Sequence, residues 1–310
     1  MNEFELISRL IPSLPLNQSV IVGAGDDCAV LDEGAPGRLL LFKTDAVVEG
    51  IHFQPGTKPE QIGHKALARC LSDIAAMAGT PSAALVTLAL PRDFKPDFVL
   101  GIYAGIRELA QRHGVALVGG ETTTNPERTL LSVAMLGWVA RGQMVLRSGA
   151  QAGDALFVTG ELGGSLARKH LEFEPRLAEA RWLAEHFAVH AMIDLSDGLA
   201  GDLRHLLQAS RVGAELLASA IPISRAARRS AKAQTSSKPP LAAALSDGED
   251  FELLFTVASR DAVPLLDAWK KGFPKLALSC IGKITSTEGL TIRDKQGCRP
   301  LTAHGYVHFT

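Results

Sequence analysis

Throughout this 310-residue chain, acidic residues stand at the ends of apolar segments, and that recurrence limits what the chain can fold into. GDD ends at Asp27, KTD at Asp45 after the apolar run 39–42, LSD at Asp73 and GGE at Glu121. DLSDG spans Asp194–Gly198, and DGED follows at 247–250. Burying a carboxylate without a partner is costly, so acids kept beside glycine or serine at such positions imply something positive between them. Magnesium is a hard cation that takes carboxylate oxygens together with substrate phosphates. Phosphoryl transfer needs positioning and charge neutralisation more than covalent help. Read singly, the acids keep their alternatives. Asp197 suits a ligand or the cap of a helix beginning near Leu199. Asp26 suits a turn, and Asp194, ending an apolar strand before a helix, stands where α/β sheets place ligands.

Composition excludes several classes. A net charge of −1 supplies no general field for nucleic acid or anionic membrane. No apolar run reaches the roughly 18 residues of a membrane span, and MNEFELISRLIPSLP lacks the pattern of a signal peptide. Cys28, Cys70, Cys280 and Cys298 show neither CxxC nor metal spacing and read as reduced thiols. The expected location is the cytoplasm.

In chain order, residues 3–10 predict a short helix stopped near Pro12, and 38–44 and 46–49 predict strand interrupted at Asp45. PEQIGHKALARCLSDIAAMA at 59–78 predicts a helix with Pro59 in its first turn. Its Ile62, Ala66, Cys70, Ile74, Met77 and Ala78 fall on one broad arc, and Asp73 lies at the edge of that arc rather than opposite it. A helix over 97–112 leads to strand 115–118, GGET follows at 119–122, and 130–140 is another strand. The small, polar RSGAQAGD at 147–154 marks a domain boundary. Strands follow at 155–159, 191–195 and 251–257, with a helical leucine pattern from Leu199 and a basic surface loop at 224–240. Tyr103 reads as core. GELGGS at 160–165 reads as a tight turn, because it lacks the lysine and hydroxyl of a P-loop. Kinase HRD and DFG signatures and a GxSxG elbow are also missing. His52 suits a substrate contact or a buried structural histidine, and Arg147 suits a phosphate contact or a solvated arginine.

With GAGDDCAVL, KTDAVVEGIHF, KALARCLSDIAAMAGTP, VGGETT, RSGAQAGD, IDLSDGLAGDL, DGEDFELLFTV and GYVHF in this order, nearly the whole chain resembles the thiamine-monophosphate kinase family of the aminoimidazole ribonucleotide synthetase-like superfamily. The resemblance implies a two-domain α/β fold (α+β mixed sheets). Residues 1–145 form the metal- and ATP-binding domain, whose sheet pairs across a homodimer, and 146–310 form a C-terminal α/β domain that completes the substrate site. It also implies transfer of the γ-phosphoryl of ATP to thiamine monophosphate by in-line displacement, with several Mg2+ ions and no dedicated catalytic base. By position, Asp27, Thr44, Asp45, Asp73, Glu121, Asp194 and Asp197 match metal ligands. Gly120, Glu121, Arg147 and Ser196 match ATP contacts, and His52, Glu249 and Tyr306 match contacts to thiamine monophosphate.

Three positions depart from the family pattern. Glu121 replaces an aspartate, Cys70 an asparagine, and Lys43 a hydroxyl ligand. An ammonium cannot ligate magnesium, so Lys43 either substitutes for one ion or points away from the site, since side chains alternate along a strand. The competing functions are a superfamily relative that activates another substrate with ATP, and a nucleotide-binding regulator without turnover.

Overall fold

The computed structural model describes residues 3–233 and 238–308. The N-terminal half runs α1 (Glu3–Leu10), β1 (Val20–Val22), β2 (Ala29–Leu31), β3 (Arg38–Val48), α2 (Pro59–Ala76), β4 (Thr80–Leu90), α3 (Pro96–His113), β5 (Ala116–Thr124) and β6 (Leu130–Ala140). Its strands form one mixed sheet in the order β1-β2-β3-β6-β4-β5. The C-terminal half runs β7 (Ala155–Thr159), α4 (Leu177–His186), β8 (Val189–Asp194), α5 (Leu199–Ser210), β9 (Gly213–Leu217), α6 (Arg225–Lys232), α7 (Pro240–Ser246), β10 (Leu253–Val257), α8 (Ala262–Gly272), β11 (Leu278–Thr285), β12 (Gly289–Asp294) and β13 (Gly297–Pro300). These strands form a second sheet, ordered β13-β12-β9-β11-β7-β10-β8. Both sheets are mixed, as the α/β reading expects.

Helix α2 lies at the centre of the molecule, between the first sheet, α3 and the C-terminal half. The arc from Ile62 to Ala78 is buried as its spacing predicts, but so are Gly63, Lys65, Leu67 and Ala68 outside it. Beyond its first turn the helix is covered on nearly every side, with only His64 and Arg69 partly exposed. Against α3 the two backbones nearly touch: a Cβ on Gly63 would lie 1.9 Å from the Ile102 carbonyl oxygen, and one on Gly105 would lie 1.9 Å from that of Glu60. Only glycine permits this approach.

Four local expectations change. β3 continues through Asp45, paired with β6 without a break, because the carboxylate projects from the face of the sheet and takes no part in the backbone ladder. The strand expected to end at 118 runs on through GGE as part of β5; Gly120 takes φ +156° there, with its α-carbon against the Val86 carbonyl. The basic stretch at 224–240 begins as helix α6, started by Ser224, whose hydroxyl accepts the Ala227 N–H. Its residues 234–237 lie outside the described residues. Strand β10 begins at Leu253 rather than at 251, because Glu249 and Phe251 both take positive φ in the preceding turn.

The first sheet leaves one face open. Leu40, Phe42, Leu85, Leu136 and Trp138 fall on it, and all except Leu40 are prominently exposed. No helix among the described residues is long and apolar enough to cross a membrane.

Candidate active site

Strand alternation divides β3 into two sets. Leu39, Leu41, Lys43, Asp45 and Val47 face α2, while Phe42 and Thr44 face the open side of the sheet. Lys43 therefore points into the acid cluster. Its Nζ lies 2.9 Å from Asp73 Oδ1 and 3.9 Å from Asp45 Oδ2. Burial opposes the ammonium, but Asp73 and Asp45 outweigh it and hold the Lys43 pKa well above the ordinary value.

Asp27, Asp73 and Asp194 converge from the loop before β2, the last turns of α2 and the end of β8. One carboxylate oxygen from each lies within 4.8 Å of the others, and all three residues are buried. Ser72 Oγ donates to Asp194 at 2.5 Å, and Arg147 donates to Asp27 at 2.6 and 3.1 Å. Burial first, then the Asp27 charge, pushes Asp194 up to about 7. Burial likewise raises Asp73 well above its ordinary range, with Lys43 opposing. Asp27 Oδ2 is buried and has no hydrogen-bond partner. Crowded, desolvated carboxylates with an unclaimed oxygen fit a hard divalent cation.

Alongside the cluster is a cavity lined by His52, Arg69, Ser196, Asp197, Glu249, Tyr306 and His308, with Ile51, Leu166 and Asp247. Arg69 joins the two regions: its guanidinium lies 3.4 Å from Asp45 and 3.4 Å from Glu249. His52 Nδ1 accepts the Val48 N–H at 3.1 Å, which leaves the ring proton on Nε2. Burial, with Arg69 next, lowers the His52 pKa to about 4, so the ring is neutral at physiological pH. Glu249 is held down at about 2 although burial opposes it, chiefly by hydrogen bonding to His170 and by Lys65. The Tyr306 ring stands edge-on to His308, centroids 5.0 Å apart, and the Tyr306 N–H donates to the Asp197 carbonyl.

The structure thus brings together Asp27, Lys43, Asp45, Asp73, Asp194 and Arg147 in one group, and His52, Ser196, Asp197, Glu249 and Tyr306 in the adjoining cavity. Thr44 is in neither group; its hydroxyl faces the Ser132 hydroxyl at 3.3 Å on the open face of the sheet. Glu121 also lies away from the buried acids. It pairs with Thr87, two residues beyond the outward Leu85, on the exposed edge strand β5, and its carboxylate accepts the Thr122 N–H. Gly120 neighbours it on that strand. Asp197 does not cap α5: Gly198 holds the cap position, and the Asp202 carboxylate takes the Asp197 N–H. Asp26 accepts the N–H groups of Asp27 and Arg147, which is a turn role.

Sequence reasoning missed Lys65, Arg69, Ser72 and His170. For the first two a signal was present: Lys65, Arg69 and Asp73 are spaced i, i+4, i+8 on a helix otherwise rich in alanine and leucine, which places three charges on one face. His170 carries no comparable pattern.

Two mixed sheets around a central helix, with acids gathered where they meet, define an AIR synthase related protein. The chain matches the N-terminal domain of that family over residues 25–139 and its C-terminal domain over residues 151–295. It is 44% identical over 278 residues to the thiamine-monophosphate kinase of Rhodopirellula baltica, covering 87% of this chain and 85% of the relative. To that of Escherichia coli K12 it is 34% identical, covering 99% and 98%. Among solved structures, AaThiL complexed with AMPPCP and TMP superposes with a TM-score of 0.83 at 30% identity, covering 99% and 97%. The hydrogenase maturation protein HypE of E. coli shares the fold, with a TM-score of 0.74 at 21% identity, covering 97% of each chain. Within this superfamily, the chain belongs to the thiamine-monophosphate kinase family.

Proposed function

We propose that this enzyme transfers the γ-phosphoryl group of ATP to the phosphate of thiamine monophosphate, forming thiamine diphosphate and ADP. The observation that carries the reading is Arg69, which spans from Asp45 in the acid cluster to Glu249 in the cavity and so places a metal-binding region directly against an organic-ligand pocket. The ligands named for AaThiL, AMPPCP and TMP, support the same pairing of substrates.

Asp27, Asp45, Asp73 and Asp194 would hold magnesium, with Asp197 on the cavity side. Bound there, magnesium supplies charge neutralisation for the phosphates. Arg147, free to exchange Asp27 for a phosphate, orients the ATP chain together with Ser196. His52 offers its Nε2–H, Glu249 accepts from the aminopyrimidine, and the Tyr306 ring packs on the cationic thiazolium. An oxygen of the substrate phosphate forms the new bond to Pγ as the bond from Pγ to the β,γ-bridging oxygen breaks in line. A phosphate monoester has its second pKa at about 6, so the attacking oxygen is already ionised and no proton acceptor is required. Residues 1–145 thereby supply Asp27, Asp45 and Asp73, and residues 146–310 add Asp194, Arg147 and Ser196 and, with His52, complete the substrate pocket.

Two refinements accompany this reading. Lys43 stands in for one magnesium ion, because its ammonium already lies between Asp45 and Asp73. Replacing it with serine should add one bound Mn2+ per chain in the complex with a nonhydrolysable ATP analogue, counted by electron paramagnetic resonance; an unchanged count rejects the substitution. The second refinement is a homodimer formed through the open sheet face, whose exposed Phe42, Leu136 and Trp138 are more apolar than a free surface tolerates. Sedimentation should give two chains for the native protein and one for Phe42→Glu.

The function itself is tested by a magnesium-dependent assay with ATP and thiamine monophosphate that follows thiamine diphosphate. ATP binding without turnover would favour the regulator reading, and turnover with a different acceptor would favour another superfamily activity.

A further inference from the structure

Lys65 lies behind the cavity wall rather than in it, and its side chain has no solvent exposure. Fully buried lysines are rare unless paired. An ammonium carries three N–H donors and no acceptor, and here three acceptors meet it. The His52 carbonyl oxygen is 2.5 Å from Nζ and the two Glu249 carboxylate oxygens are 2.7 and 2.8 Å away, while His170 Nδ1, 2.9 Å from the same carboxylate, donates to it. Every proton is used, which identifies the charged form. Burial, with a smaller push from Arg69, works against that form and, opposed by Glu249, draws Lys65 down to about 8, still above neutral pH.

The groups gathered around Lys65 come from different parts of the chain. His52 follows β3 in the N-terminal half, His170 lies in the turn at Lys169–Leu171, and Glu249 precedes β10 in the C-terminal half. His52 and Glu249 both line the cavity. Glu249 also takes φ +54°, a conformation that a residue with a side chain keeps only where its surroundings hold it. Lys65 is the nearest cation to its carboxylate; Arg69 is farther, at 3.4 Å.

We infer that Lys65 is a positioning residue: its buried ammonium pins Glu249 and the His52 turn to α2 across the domain boundary and so sets the shape of the substrate pocket. The inference rests on the reading of that pocket as the thiamine monophosphate site. Lys65 touches no substrate atom and acts through Glu249.

Lys65→Met keeps most of the side-chain length and removes the charge. It should raise KM for thiamine monophosphate about tenfold or more, leave KM for ATP within about twofold, and change kcat little. Because Lys65 works through Glu249, the Lys65→Met/Glu249→Gln double variant should be no worse than the worse single variant. A parallel rise in both KM values, or single effects that multiply in the double variant, would overturn the inference. If Lys65→Met does not fold, Lys65→Gln takes its place in the same measurements. Should the wild-type protein not use thiamine monophosphate, the functional reading fails, but amide hydrogen exchange over residues 247–252 still decides the role of Lys65. Faster exchange in the variant supports the pin, and unchanged exchange rejects it.

Discussion

Asp194→Asn is expected to lower magnesium-dependent formation of thiamine diphosphate by on the order of a thousandfold while leaving the fold intact. Asp194 ends β8, is buried, receives the Ser72 hydroxyl and shares the acid cluster with Asp27 and Asp73. The asparagine side chain has the same shape and can still accept from Ser72, but it removes one charge from the group that would hold the metal. Stability should move the other way. A carboxyl raised from 3.8 to about 7 on folding binds its proton more tightly in the folded chain, so its ionisation costs stability increasingly as pH rises through that window. In metal-free buffer at pH 8 the variant should therefore melt at or above the wild-type temperature. Adding magnesium should raise the wild-type Tm and leave the variant's unchanged, since a ligand stabilises only the state that binds it. Wild-type turnover, or an equal magnesium shift in both proteins, would remove Asp194 from the metal site.

Glu252→Gln should have the largest effect on stability, a loss of about 3 kcal/mol at pH 7. Glu252 is almost wholly buried, and its carboxylate binds Arg176 twice at 2.8 Å, Lys169 at 2.7 Å and the Thr159 hydroxyl at 2.8 Å. Burial pushes its pKa up, but Lys169 and Arg176 prevail and hold it at about 2, below the ordinary 4.5. A depressed carboxylate contributes fully above its unfolded value and loses that contribution as pH falls towards its folded value. The gap between wild type and variant should thus be full at pH 5 and above and shrink between pH 4.5 and 2. Glu249, also held at about 2, adds to the acid sensitivity of the wild type in the same direction. Urea unfolding at pH 7 and pH 3 measures both gaps, and a pH-independent difference would show that the ion pairs do not set the energetics.

Much of the site was legible in the chain because its chemistry is local. Acid clusters at the ends of apolar runs mark Asp27, Asp45, Asp73, Glu121 and Asp194 together, and the edge position of Asp73 on its helical arc already speaks against a solvated role. His52, Glu249 and Tyr306 carried weaker local signals and were placed by resemblance. Alternation along β3 reduced Lys43 to two orientations without choosing between them, and the spacing of Lys65, Arg69 and Asp73 was visible without its meaning.

The tertiary structure made those choices. Packing α2 onto one face of the first sheet turned Lys43 and Asp45 inward and sent Thr44, with Glu121, to the open face, because a strand has only two sides. Docking the C-terminal half onto the remaining side of α2 buried Lys65 and gave it the Glu249 carboxylate, 184 residues away in sequence. The chain by itself determined which groups were too costly to bury alone. Which partners relieved that cost depended on the way the two halves close around α2, since desolvation and pairing are set by neighbours in space.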